Sequence, residues 1–127
     1  MALSPLEVVQ GFCDAWQRGD IEELMGYFAE DAIYHNIPVA PVKGAAAIRE
    51  AFLGFAKLMD GIVLDNLNVA ANGNVVFTER IDNFTWKGKK LALPVAGVFE
   101  VRDGKITAHR DYFDYATWMN ATGIPLG

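Results

Sequence analysis

The chain reads as an α+β domain in which a curved, mixed or antiparallel β-sheet wraps around N-terminal helices like a cone and encloses a deep apolar pocket. Three observations predict this. Up to Met59 apolar residues recur mostly at spacings of three and four, whereas from Ile62 onward they fall into period-two runs separated by glycine-bearing turns. Helices first and strands after is the order of an α+β chain, not of alternating βαβ units. Finally, 52% of the 127 residues are hydrophobic. That is more than the core of so small a domain absorbs, so apolar surface must be hidden in a pocket, a subunit interface or both.

The first helix opens on Ser4, Pro5 and Glu7, a capping box with proline at the first helical position. Val8, Val9, Phe12, Ala15 and Trp16 form its apolar face, with Cys13 at the margin, and Gly19 closes it. Asp20 caps a second helix with Glu23 three residues on, and Leu24, Tyr27 and Phe28 carry its buried stripe. From Ala32 the period becomes two. Tyr34 and Asn36 then share one face of a strand with His35 on the other, and Pro38 and Pro41 end it. Gly44 precedes a strongly helical run whose stripe of Ile48, Phe52, Phe55 and Met59 closes over whatever the strands form. A meander follows: Ile62 to Ala70, Val75 to Trp86, Leu91 to Val101 and Ile106 to Tyr115, with turns at Asn72-Gly73, Gly88 and Asp103-Gly104. Residues 1–127 thus form a single domain.

In the strand from Val75, Arg80 and Asp82 point the same way as Thr78, Phe84 and Trp86, while Phe77, Ile81 and Thr85 take the other face. Both faces are largely apolar, so the strand is expected to be covered on both sides. Buried charges persist only when paired, and the fork of one arginine can serve two acceptors. Asp111 supplies the second acid. It shares its face with His109 and Phe113, while Arg110, Tyr112 and Asp114 point away. Taken singly, each of these residues has a bland reading as a satisfied core hydroxyl or a solvated ion pair. Five polar side chains on inward faces of three strands, Tyr34, Asn36, Arg80, Asp82 and Asp111, favour a site over a structural network.

Other classes are excluded. Net charge is −5 and no basic cluster appears, which argues against nucleic acid and anionic membrane partners. One cysteine, Cys13, allows no internal disulfide and reads as a buried small hydrophobe, in keeping with a cytoplasmic protein. No stretch approaches the roughly 18 apolar residues of a membrane span, and no signal peptide is evident. His35 and His109 lack partners at metal-ligand spacing, so no metal is expected, and no phosphate loop or dinucleotide glycine pattern calls for a cofactor.

The segments Tyr34-His35-Asn36-Ile37-Pro38, Thr78-Glu79-Arg80-Ile81-Asp82 and Arg110-Asp111-Tyr112-Phe113-Asp114 resemble the limonene-1,2-epoxide hydrolase family. This family lies within the nuclear transport factor and SnoaL-like superfamily of α+β cones, and the likeness runs from about Pro5 to past Trp118. The resemblance implies hydrolysis of a small hydrophobic, cyclic or terpene-like epoxide to a vicinal diol by an Asp82-Arg80-Asp111 triad, with Tyr34 and Asn36 helping to hold a water. Two departures bear on substrate range: His109 stands where the family often has tryptophan, and His35 lies inside the Tyr-x-Asn motif. On this reading Asp82, beside the water, is the base and Asp111 the acid. Phe55, Met59, Phe84, Leu93, Val95, His109, Phe113 and Trp118 would bind substrate, and the protein would work as a homodimer without cofactor. The fold alone leaves open a ketosteroid-isomerase-like or cyclase-like enzyme and a non-catalytic binder of small ligands.

Overall fold

The computed structural model describes residues 3–127. Helix α1 (Pro5–Arg18) begins at the expected capping box, where Ser4 Oγ accepts from the Glu7 N–H and Glu7 accepts from the Ser4 N–H, and it ends at Gly19 with a left-handed φ of 72°. Helix α2 (Ile21–Met25) is shorter than its stripe suggested. The carbonyl of Tyr27 accepts a 2.7 Å hydrogen bond from the N–H of Ile106, so the chain leaves the helix there and Phe28 opens strand β1 (Phe28–Asn36).

A two-residue strand β2 (Val42–Lys43) and helix α3 (Ala45–Leu58) follow. The meander consists of β3 (Met59–Asn72), β4 (Val75–Trp86), β5 (Lys89–Arg102) and β6 (Lys105–Tyr112). Strand β6 ends before the expected Tyr115, because Asp114 caps a further helix, α4 (Tyr115–Thr122), by accepting from the Thr117 N–H. The pair Asp114 and Thr117 was the available sequence signal for that helix.

The six strands form one open sheet in the order β2-β1-β6-β5-β4-β3, antiparallel throughout except where β1 runs parallel to β6. Two apolar clusters occupy its inner side. The larger gathers Val8, Phe12 and Trp16 of α1 with Ile48 and Phe52 of α3 and Val76, Phe99 and Ile106 of the sheet. The smaller sets Trp118 of α4 against Trp86, Leu91, Leu93 and Val95. Phe55 and Met59 pack against both, and the cavity opens where they meet.

The expectation that β4 is covered on both faces is corrected. Its even-numbered side chains are buried except for the half-buried Phe84, but Phe77 on the other face is 44% exposed. Register places Phe77 beside Val98, Ile81 beside Pro94, and Ala96 beside Tyr112, so an apolar strip runs across the outer side of the sheet. Such a strip on a small domain is suited to pairing with a second copy. We expect light scattering to give twice the 14.0 kDa chain mass, and Phe77→Asp to shift the protein toward monomer. A wild-type species that stays at the single-chain mass at micromolar concentration would remove the proposal.

Candidate active site

Strand alternation on β4 turns Thr78, Arg80 and Asp82 inward together, and Arg80 is only 4% exposed. Its guanidinium is nearly saturated. Nε donates to Asp82 Oδ1 at 2.8 Å, Nη2 to Asp82 Oδ2 at 3.0 Å and to Asp111 Oδ2 at 2.9 Å, and Nη1 to Thr78 Oγ1 at 3.2 Å. The two acids come from β4 and β6, which are not neighbours, since β5 lies between them.

Gly97 is what lets Arg80 cross that strand. It is registered with both Thr78 and Asp111, and a Cβ at this position would lie 2.6 Å from Arg80 Nη1, 2.6 Å from Thr78 Oγ1 and 3.0 Å from Asp111 Oδ1. Sequence reasoning missed this residue. The available signal was an isolated glycine inside a strand pattern, which marks close approach by another group.

Tyr34 and Asn36 enter from β1, where Tyr34 Oη donates to Asn36 Oδ1 at 3.3 Å. Parallel pairing sets Tyr34 beside His109 and Asn36 directly beside Asp111. The sequence expectation set this pair beside Asp82; register sets it beside the other acid, Asp111, with β6 and β5 between β1 and the strand carrying Asp82. His109 Nε2 lies 2.9 Å from Asp111 Oδ1, whereas His35 turns away and its Nε2 lies 2.9 Å from the carbonyl of Val39.

Electrostatics divides the two acids. Burial raises the pKa of Asp82, and the hydrogen bonds and charge of Arg80 only partly offset it. Burial also opposes the charged form of Asp111, but there Arg80 and His109 win and hold the carboxyl below the usual carboxylate range. Burial pushes the Cys13 thiol up to about 11 and raises the Tyr34 phenol as well, so neither is a ready anion. Among the described residues no group of three or more His, Cys, Asp and Glu side chains could hold a metal ion.

The rest of the cavity is lined mostly by apolar side chains. Phe55, Met59, Phe84, Leu93, Val95, His109, Phe113 and Trp118 all line it, as do Phe12, Trp16, Ile62, Leu64, Trp86 and Leu126, which the sequence reading left out of the site. An apolar wall with a few convergent polar groups at one end suits a small organic molecule.

Residues 3–123 match the family model described as the limonene-1,2-epoxide hydrolase catalytic domain. The chain is 34% identical over 109 residues to epoxide hydrolase EphG of Mycobacterium tuberculosis, an alignment covering 84% of this chain and 70% of that protein. A solved structure of an M. tuberculosis LEH-like epoxide hydrolase is similar with a TM-score of 0.83 and 27% identity, over 92% of this chain and 87% of that one. A putative polyketide cyclase from Xanthomonas campestris shares the fold at a TM-score of 0.85 and 24% identity, over 92% and 95% of the two chains.

The crowding at Gly97 yields a direct test. Gly97→Ala should lower stability by about 1–3 kcal/mol in chemical denaturation. Gly54→Ala is the control, because a Cβ at that exposed position of α3 meets nothing within 4 Å and alanine favours the helix. Equal effects of the two substitutions would show that Gly97 is not needed for the crossing.

Proposed function

The chain belongs to the limonene-1,2-epoxide hydrolase family, and we propose that it adds water in one step to a small hydrophobic, cyclic or terpene-like epoxide, giving a vicinal diol. The observation that carries this reading is the Asp82-Arg80-Asp111 bridge at the polar end of an apolar cavity, with Tyr34 and Asn36 on the Asp111 side. The opposite pKa directions of the two acids support distinct roles.

These roles reverse the ones expected from sequence. Asp111, ionised and beside Asn36, is the general base, and Asp82, whose burial favours the neutral form, is the general acid. Water oxygen bonds to one epoxide carbon as a water proton passes to Asp111. The carbon–oxygen bond of the ring breaks, and its oxygen takes the proton of Asp82. Arg80 contacts both carboxylates, so the proton gained by one and lost by the other can be redistributed within the cluster. Each positioned proton transfer contributes about 10²- to 10⁴-fold. Apolar walls such as Phe55, Leu93 and Phe113 hold the hydrocarbon and exclude bulk water. An isomerase-type site would need a base and an oxyanion donor, but no arginine between two acids.

A single turnover of a cyclic epoxide in ¹⁸O-labelled water, with enzyme in excess, tests the proposal. Direct attack puts the label into the first diol. An unlabelled diol would mean that a carboxylate oxygen attacked first, and failure to convert any epoxide would defeat the reading altogether.

Asp82→Asn and Asp111→Asn should each lower kcat by at least about 10²-fold, and the double variant should cost little more than either alone. Melting curves must accompany these assays, since an unpaired buried guanidinium destabilises. In the wild type, kcat/KM should fall at low pH as Asp111 gains a proton, below the usual carboxylate range. It should fall at high pH as Asp82 loses one, above that range. A folded single variant with near-normal turnover would contradict the assignment.

A further inference from the structure

We infer that His109 is a positioning residue for this reaction, which as the Nε2–H tautomer pins Oδ1 of Asp111 and thereby sets the plane in which the carboxylate meets the attacking water. The inference rests on the hydrolase reading above. His109 is 2% exposed, and its ring stacks on Phe99 with centroids 4.1 Å apart and planes 20° from parallel. Phe12 stands edge-on to it at 5.2 Å and Tyr34 lies tilted at 5.1 Å, so the ring is held on several sides. Only Nε2 reaches a partner, Asp111 Oδ1 at 2.9 Å, whereas Nδ1 is buried without any.

That asymmetry fixes where the proton sits. An ionised carboxylate only accepts, so the nitrogen facing Asp111 must carry the hydrogen. A hydrogen on Nδ1 as well would be a buried donor with no acceptor. The titratable and charged groups that face the ring are Tyr34 on β1, in ring contact, Asp111 on its own strand, hydrogen-bonded to it, and beyond that carboxylate Arg80 and Asp82 on β4.

The consequence concerns Asp111. Arg80 holds Oδ2 from β4 and His109 holds Oδ1 from β6, so the carboxylate is gripped at both oxygens. Each oxygen keeps a further lone pair for the water. With the Arg80 contact alone the group could pivot, and it would lose a donor that favours its charged form.

Two substitutions separate this role from mere packing. His109→Phe keeps an aromatic ring against Phe99 but removes the donor; His109→Gln loses the ring yet can present an amide N–H near the position of Nε2. We expect His109→Phe to lower kcat about ten- to a hundredfold, and to move the acidic limb of kcat/KM up by about one pH unit or more. His109→Gln should recover most of both. A purely structural histidine predicts the reverse order, and a His109→Phe variant with wild-type kcat and acidic limb would overturn the inference.

Should the variants not fold, ¹⁵N NMR of the wild-type imidazole without substrate still decides. Protonated Nε2 with bare Nδ1 at neutral pH supports the assignment, and the Nδ1–H tautomer or the imidazolium overturns it. Because the tautomer is read without turnover, its result stands apart from the epoxide assay, whose failure would overturn the hydrolase reading and with it any catalytic part for His109.

Discussion

The buried guanidinium of Arg80 is the constraint on which the rest of the site depends. A cation taken out of water needs partners on nearly every N–H, and it finds them on Thr78, Asp82 and Asp111. Two ionised carboxylates around one guanidinium would leave a buried excess of negative charge. The two pKa values move in opposite directions because burial dominates at Asp82, whereas at Asp111 Arg80 and His109 together outweigh it. Asp111 keeps its charge because His109 adds a second donor, and Asp82 has no counterpart to that donor.

The sheet is arranged around this bridge. Arg80 can reach Asp111 only across β5, and β5 carries glycine at the crossing. Its neighbours along the same inner face, Leu93 and Val95, are buried apolar wall, so polarity in the cavity is confined to one end. Low polarity at the other end strengthens the ionic contacts by keeping water away. The aromatic contacts of Phe12, Phe52, Phe99 and Tyr34 with one another or with His109 tie α1 and α3 to that polar end.

The outer side of the sheet follows a different logic. Phe77 and Ile81 have the residue types of a doubly covered strand, yet within one chain Phe77 stays 44% exposed. Residue type favours burial of a face but carries no information on whether any cover comes from the same chain. Val63 on the neighbouring strand is likewise exposed, at 59%.

Sequence by itself determined the local features. The capping box at Ser4 and Glu7, the cap at Asp20, the inward alternation of Arg80 with Asp82 and the shared face of Tyr34 and Asn36 all depend on residues within a few positions of each other. Periodicity states which face a side chain takes but not which strand lies beside it. Tertiary structure alone decided that β1 pairs with β6, which sets Asn36 beside Asp111 instead of Asp82 and so exchanges the acid and the base in the proposed reaction. It also decided that β6 captures Tyr27 and cuts α2 short, and that Gly97 stands at the crossing of Arg80. Each of these is a contact between segments far apart in the chain, chosen by hydrogen-bond register and packing space; a local pattern such as the lone strand glycine marks that something approaches, not which group.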